Sequence, residues 1–191
     1  MSMHEEVDDY EESVTWISLF LGDEHNALLC HVDEDFILDQ FNLTGLNREV
    51  ENFSLALDMI NDVQPEEELD EQLSDDVQSD AEILYGLVHR RFVLTGRGLA
   101  AMADKFRRQG FGTCPRVLCQ KQAVLPVGLT EDVGKIGVKL FCPRCEEAYE
   151  PPSIYKTLDG AYFGTTFPHL FFMVYPELHP RASRLSQAAE E

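Results

Sequence analysis

Four cysteines stand in two tight pairs, and their spacing constrains the fold more than any other feature of the chain. Cys114 and Cys119 form the first pair, Cys142 and Cys145 form the second, and 22 residues separate the two pairs. Two short cysteine turns joined by a hairpin are typical of a zinc ribbon, in which four thiolates surround Zn²⁺ and leave no position for water. Such a site stabilises a fold and performs no catalysis. Two disulfides or free buried thiols are the alternatives, and the fifth cysteine, Cys30, is expected to be a buried reduced thiol.

The charge of the chain is distributed very unevenly. Residues 1–89 contain 25 Asp or Glu side chains and one Lys or Arg, Arg48, which gives a formal charge of −24. Residues 90–191 have a formal charge of +4, so that the whole chain carries −20. We expect cationic partners for the acidic part. Duplex DNA is not expected as a partner, because the net field of the chain repels phosphate.

The sequence also indicates where the chain resides. Residues 1–12 are acidic and lack an apolar core, so that neither a secretory signal nor an Arg-rich transit peptide is predicted. No segment approaches the ~18 consecutive apolar residues of a membrane-spanning helix. We therefore expect the cytoplasm and the nucleus, where a reducing environment favours metal-bound cysteines over disulfides.

The apolar pattern predicts helices in the first part of the chain and strands in the second. Helices are expected from Asp33, over residues 49–63, from Asp80 through His89 and over residues 99–108. Strand-like runs cover residues 124–129 and 136–141. The predicted fold class is α+β, with an all-α N-terminal subdomain followed by a four-cysteine zinc-ribbon subdomain. The predicted boundaries are 1–13 for a disordered acidic N-terminus, 14–109 for the helical subdomain, 110–178 for the ribbon and 179–191 for a C-terminal tail.

An acidic loop is predicted over residues 62–80, where nine of 19 residues are Asp or Glu. The loop is either a solvated connector or a docking site for polyamines and basic protein segments, because closely spaced carboxylates concentrate polyvalent cations. The candidate binding residues are Asp62, Glu66, Glu67, Glu68, Asp70 and Glu71.

The first cysteine turn is apolar. Pro115, Val117 and Leu118 lie within this turn, and exposed apolar surface on a small ribbon is typical of a symmetric dimer interface, with packing against the chain's own helices as the alternative. Residues 128–135 resemble a phosphate-binding loop, but five residues separate the glycines instead of four. Since no nucleophile, kinase motif or histidine cluster is recognised either, the chain is expected not to be an enzyme.

Ordered motifs along residues 14–176 resemble one family, the regulatory (beta) subunit of casein kinase II. The matches include DQFNLTGLN at 39–47, LYGLVH at 84–89, FGTCPRV at 111–117, CPRC at 142–145 and DGAYFGT at 159–165. The resemblance implies a non-catalytic protein with a helical part and a zinc ribbon, which dimerises through the ribbons. Such a dimer is expected to bridge two catalytic subunits in a two-plus-two Ser/Thr kinase, to stabilise them and to modulate the choice of substrate.

The resemblance also implies roles for individual residues. The four paired cysteines match the family's ligands for one structural Zn²⁺ per chain, and Pro115, Val117 and Leu118 fall in its dimer-forming region. Residues 62–71 match the family's acidic loop, which is associated with polyamine response. Ser2, with Glu5 three residues further on, corresponds to the family's N-terminal phosphorylation region. A phosphoprotein with a role in Wnt signalling is expected on the same grounds.

The sequence departs from the family at its C-terminus. Family members continue into a tail whose aromatic residues anchor the catalytic subunit, whereas no aromatic residue follows Tyr175 here. Because buried aromatic residues dominate many interfaces, their loss would weaken binding of the catalytic subunit. We therefore expect either a shortened chain or a divergent relative, and the alternative function is a zinc-ribbon interaction adaptor that acts without the kinase.

Overall fold

A computed structural model describes residues 14–65 and 68–180 of the chain. The α-helices of this part are α1 (Trp16–Gly22), α2 (Glu34–Leu38), α3 (Phe53–Ile60), α4 (Glu71–Phe92), α5 (Gly96–Arg107) and α6 (Phe167–Val174). The strands are β1 (Leu125–Val127), β2 (Lys139–Cys142) and β3 (Glu147–Tyr149). Short 3-10 turns cover Glu24–Asn26, Gln40–Leu43, Leu46–Arg48, Val117–Cys119, Ser153–Tyr155, Gly160–Tyr162 and Pro176–Leu178. The long helices precede the ribbon, which confirms the predicted α+β class.

Helix α4 is longer than the apolar pattern predicted. It begins at Glu71 rather than at Asp80, and its N-cap is Asp70, whose carboxylate accepts a hydrogen bond from the Leu73 amide at 2.8 Å. The prediction of a loop over residues 62–80 is therefore wrong from residue 71 onward. Val77 is buried on the inner face of the helix while the carboxylates around it face solvent. An amphipathic helix with a very acidic outer face has an amino-acid composition like that of a loop, but its few apolar residues keep the spacing of a helix.

Asp80 is an anchor within α4 and not its cap. Its Oδ2 atom accepts hydrogen bonds from both the backbone amide and the side-chain amide of Asn52, each at 2.9 Å. Asn52 is the N-cap residue of α3, so that these two bonds fix the start of α3 against the middle of α4. The two helices then pack closely along their length.

Two further helices start beside polar residues, but of these two only α5 has a side-chain cap. Asp33 is the N-cap of α2, as predicted, and Glu34 and Asp35 occupy its first turn. Helix α5 begins at Gly96, earlier than the predicted residue 99, because the Thr95 side chain accepts a hydrogen bond from the Gly98 amide and closes the first turn.

The ribbon contains a three-stranded antiparallel sheet in the order β1-β2-β3. Phe141 of β2 lies opposite Leu125 of β1 on one side and Ala148 of β3 on the other. Strand β1 lies within the first predicted run, and β2 overlaps the second and ends one residue beyond it. Strand β3 was not predicted, because its three residues after the second cysteine turn are too few to show a period.

One hydrophobic core runs through both the helices and the ribbon. The segment after the ribbon completes it, since Phe163, Phe167 and Phe171 are fully buried. The Phe171 ring meets the Phe106 ring of α5 edge to face, with 5.4 Å between centroids. The boundary between subdomains at residues 109 and 110 stays a prediction, because this continuous core offers no gap at which to place it.

Candidate metal centre

Two tight turns present the four cysteines to one another. In the first turn the Cys119 amide donates to the carbonyl of Arg116 at 3.0 Å, and the Cys114 amide donates to the carbonyl of Gln122 at 2.8 Å. In the second turn the Glu146 amide donates to the carbonyl of Cys142 at 2.9 Å. Strand β2 ends at Cys142, so that pairing within the sheet places the second turn beside the first.

The geometry of the cluster suits a single metal ion. The four sulfur atoms of Cys114, Cys119, Cys142 and Cys145 lie within 4.8 Å of one another, and the Cys114 and Cys145 sulfurs are 3.9 Å apart. Sulfurs at about 2.3 Å from a tetrahedral zinc stand about 3.8 Å apart, which agrees with this spacing. All four cysteines are free, so that the disulfide alternative is excluded in this structure.

Hydrogen bonds favour the thiolate form of Cys145, whereas burial raises the pKa of Cys119 and of Cys142. The Arg116 amide points to the Cys114 sulfur at 3.5 Å, and the Tyr149 hydroxyl lies 3.2 Å from the Cys145 sulfur. Burial alone raises the pKa of the Cys145 thiol, but hydrogen bonds from Tyr149 and the Glu147 amide outweigh it and lower this pKa to about 7. The hydrogen bond to Cys145 raises the pKa of Tyr149, which keeps its hydroxyl protonated. The surrounding hydrogen bonds thus stabilise the charged form of Cys145.

The apolar turn between the first two cysteines is exposed. Val117 retains 88% and Leu118 74% of its possible accessible surface, and Pro115 is exposed as well. The alternative that this turn packs against the chain's own helices therefore does not apply in this structure. Because Cys114 and Cys119 bracket the turn, any metal held by them also fixes the shape of this surface.

The predicted acidic residues have several different environments. Asp62 has a left-handed backbone, with φ of 57°, and its Oδ1 atom accepts a hydrogen bond from the Trp16 amide at 2.8 Å. Asp70 caps α4, and Glu68 and Glu71 are exposed. Glu66, Glu67 and Ser2 lie outside the described residues. Two of the predicted binding carboxylates are thus already engaged in holding the local structure.

Sequence reasoning missed two residues at functionally interesting positions. Tyr149 follows Cys145 by four residues. Its hydroxyl lies close to the Cys145 sulfur only because the chain turns back into β3. His89 is buried between the helices and the ribbon. Burial raises the pKa of its neighbour Cys30 to about 12, so that this thiol stays protonated, as the prediction of a buried reduced thiol requires.

Within residues 14–65 and 68–180, the four-cysteine cluster is the one group of side chains suited to hold a metal.

Comparison with known proteins decides the family. The sequence profile described as casein kinase II regulatory subunit matches residues 15–189, which is most of the chain. The chain belongs to this family. Casein kinase II subunit beta of Schizosaccharomyces pombe is 49% identical over 179 residues, which cover 93% of this chain and 77% of that protein. The family resemblance inferred from the ordered motifs is therefore confirmed.

Other relatives of the casein kinase II family are similar over nearly the same span. Subunit beta' of Drosophila melanogaster is 43% identical over 92% of this chain and 80% of its own length. Subunit beta of Dictyostelium discoideum is 46% identical over 94% of this chain and 67% of its own length. In the part of the chain that the structure describes, no helix combines the length and hydrophobicity needed to cross a membrane.

Proposed function

We propose that the chain is a non-catalytic regulatory subunit of casein kinase II, which dimerises through zinc ribbons and bridges two catalytic subunits. Its role is to stabilise the catalytic subunits and to modulate their choice of substrate. The observation that carries the proposal is the four-cysteine cluster with an exposed apolar turn built between two of its ligands. Membership in the regulatory subunit family supports the non-catalytic role and the association with catalytic subunits.

The donor set supports zinc as the metal. Four thiolates from two turns provide the tetrahedral, soft environment that Zn²⁺ takes in structural sites. In this role Cys114, Cys119, Cys142 and Cys145 hold the ion, and the bound zinc supplies a rigid crosslink between the two turns. Three of these cysteines are buried, which suits a structural site closed to water.

The exposed turn supports a dimer through the ribbon. Val117 and Leu118 place two apolar side chains in solvent beside the metal cluster, which is unfavourable unless another surface covers them. A second copy of the same turn is the simplest cover, because a two-fold interface uses one self-complementary patch on both protomers.

The acidic part supports contacts with cations. Glu68 and Glu71 are exposed at the start of α4, and the neighbouring carboxylates form a surface for polyamines or basic protein segments. We propose that the complex resides in the cytoplasm and the nucleus. We also propose Ser2 as a phosphorylation site.

Native mass spectrometry of the chain, alone and mixed with a casein kinase II catalytic subunit, tests the proposal. A dimer that carries two zinc ions and forms a two-plus-two complex is the expected result. A zinc dimer that does not bind the catalytic subunit at micromolar concentration would contradict the kinase role and favour a kinase-independent adaptor. A monomer without metal would contradict the proposed zinc-ribbon dimer itself.

A further inference from the structure

We infer that Tyr149 is a positioning residue that keeps Cys145 in the metal cluster, and that Cys145 is the ligand at which the site opens. The inference rests on the proposed function in one respect, namely that a metal occupies the four cysteines. It identifies the ligand at which loss of the metal begins, in a site whose other three ligands are buried.

The first observation is the hydrogen bond itself. The Tyr149 hydroxyl lies 3.2 Å from the Cys145 sulfur, within the range for a bond to sulfur. A metal-bound thiolate carries no proton, so that the hydroxyl is the donor and the sulfur the acceptor. Among the hydrogen bonds to the four cluster sulfurs in the described residues, this is the one made by a side chain outside the cluster. Side chains that hydrogen-bond to ligands orient them and tune their bond to the metal.

The second observation is the difference in burial among the ligands. Cys114, Cys119 and Cys142 retain 6%, 2% and 0% of their accessible surface, whereas Cys145 is partly exposed. A chelator or an alkylating reagent must reach a ligand from solvent, and Cys145 is the ligand residue that burial shields least. The bond from Tyr149 restrains the ligand that burial protects least.

Strand β3 explains how one residue can do this. Tyr149 pairs with Leu140 of β2, and Cys145 lies in the turn that joins the two strands. The sheet therefore holds the phenol at a fixed distance from the turn. Glu146, with a left-handed φ of 57°, reverses the chain just after the ligand.

The test is metal release from the Tyr149→Phe variant of the full chain, with Tyr155→Phe as the control. Tyr155 is also a partly buried tyrosine beside the core, and its substitution removes a hydroxyl without touching the cluster. We expect about tenfold faster transfer of zinc to a chromogenic chelator from Tyr149→Phe, which is the usual scale for losing such a partner. The rate of Tyr155→Phe should equal that of the unsubstituted chain.

A spectroscopic measurement separates positioning from a general loss of stability. With Co²⁺ in place of zinc, removing a hydrogen bond from a thiolate makes its electrons easier to transfer to the metal, so that the charge-transfer band moves to longer wavelength. We expect this shift in Tyr149→Phe and not in Tyr155→Phe. Equal bands and equal release rates in the two variants would overturn the inference.

The unsubstituted chain gives an independent check, which does not depend on folding of a variant. Zinc-loaded protein is treated with N-ethylmaleimide and a limiting amount of chelator, and the first alkylated cysteine of the cluster is identified by peptide mass spectrometry. Cys145 is expected first, and initial labelling at Cys114, Cys119 or Cys142 would overturn the inference. Absence of metal from the purified chain would instead contradict the proposed function.

Discussion

At the scale of single residues, His89 joins three parts of the molecule. Its Nδ1 atom is 2.7 Å from the carbonyl oxygen of Tyr162, which can only accept, so that Nδ1 carries the proton. Its Nε2 atom accepts a hydrogen bond from the Cys30 amide at 3.1 Å. The ring is fully buried, and burial lowers its pKa to about 4. Neutral His89 thus connects α4 with the segment before α2 and with the turn after the ribbon.

His89 should make the protein sensitive to mild acid. In the unfolded chain His89 titrates near its ordinary value of about 6.5, whereas in the folded protein its pKa of about 4 keeps it neutral. The unfolded state therefore binds the extra proton first, and stability falls as the pH drops through this window. We expect a loss of about 2 kcal/mol in the free energy of unfolding between about pH 7 and pH 5. Urea titrations at fixed protein concentration measure it.

Substitution identifies the responsible group. The other ionisable groups facing His89 are the Cys30 thiol, which stays neutral, and the Lys105 ammonium, whose pKa is lowered by burial. His89→Gln should flatten the pH dependence, although its stability at neutral pH will be lower. His31→Gln removes an exposed histidine and should leave the dependence unchanged. An unaltered slope in His89→Gln would contradict this account.

At the scale of elements, the spacing of residues along the sequence predicted the ribbon correctly, whereas amino-acid composition led to a wrong prediction for the start of α4. The cysteine pairs alone indicated the ribbon, because metal ligands must recur at fixed spacing in the sequence. Helix α4 was predicted too short, because its N-terminal part is mostly polar and only Leu73 and Val77 mark the apolar face before Ala81. The contacts of Tyr149 and His89 join residues that no local pattern relates, so that only the folded chain shows them.

The first turn of α4 should depend on its cap. Asp70→Ala removes the acceptor for the Leu73 amide and should cost about 1 kcal/mol of stability. Asp75→Ala removes the same charge from an exposed position within the helix and should cost less. Hydrogen exchange of the amides in residues 71–74 locates the effect. Equal protection of these amides in both variants would argue against the cap.

The packing of α4 against the turn after the ribbon should tolerate no side chain at residue 86. A Cβ atom there would overlap with the ring of Tyr162. We expect Gly86→Ala to destabilise the protein by about 1–3 kcal/mol, although alanine favours helices. Gly96→Ala, where a Cβ meets nothing, is the matched control and should be neutral or stabilising. Thermal unfolding of both variants measures the difference, and a neutral Gly86→Ala would contradict the packing described.

At the scale of the whole molecule, the metal cluster and the proposed dimer surface form one unit. The turn over residues 115–118 is exposed along its length, and the cysteines that flank it are candidate metal ligands. Anything that removes the metal should therefore also remove the surface. This coupling leads to two expectations, one for the surface and one for the metal.

Charge on the apolar turn should separate the protomers. Leu118→Asp places a carboxylate in the proposed interface, where burying it without a partner is strongly unfavourable. We expect a monomer that still binds zinc, as measured by sedimentation velocity and metal analysis. Phe41→Asp changes an apolar residue in the helical part that is at least as exposed, 83% accessible against 74% for Leu118, and should remain a dimer. A dimeric Leu118→Asp would contradict an interface at this turn.

Metal removal should unfold the ribbon and dissociate the dimer together. Structural zinc in small domains contributes about 10–16 kcal/mol of apparent binding free energy, as large as the whole margin of about 5–15 kcal/mol by which most domains are stable. Chelation, or Cys114→Ser, should therefore give a monomer with lost ribbon structure. The Cys30→Ser variant serves as a control for cysteine substitution away from the cluster. Native mass and circular dichroism report both events, and an apo dimer of unchanged mass would refute the coupling.

The shared core also sets an order of events at the ribosome. A growing chain that has reached residue 145 already contains all four cysteines of the cluster, but it lacks Tyr162, Phe167 and Phe171. Since those rings complete the core against α4 and α5, the apolar faces of the earlier helices have no finished partner while synthesis continues. The four candidate ligands of the metal are thus synthesised before the core of the helices that precede them can be completed.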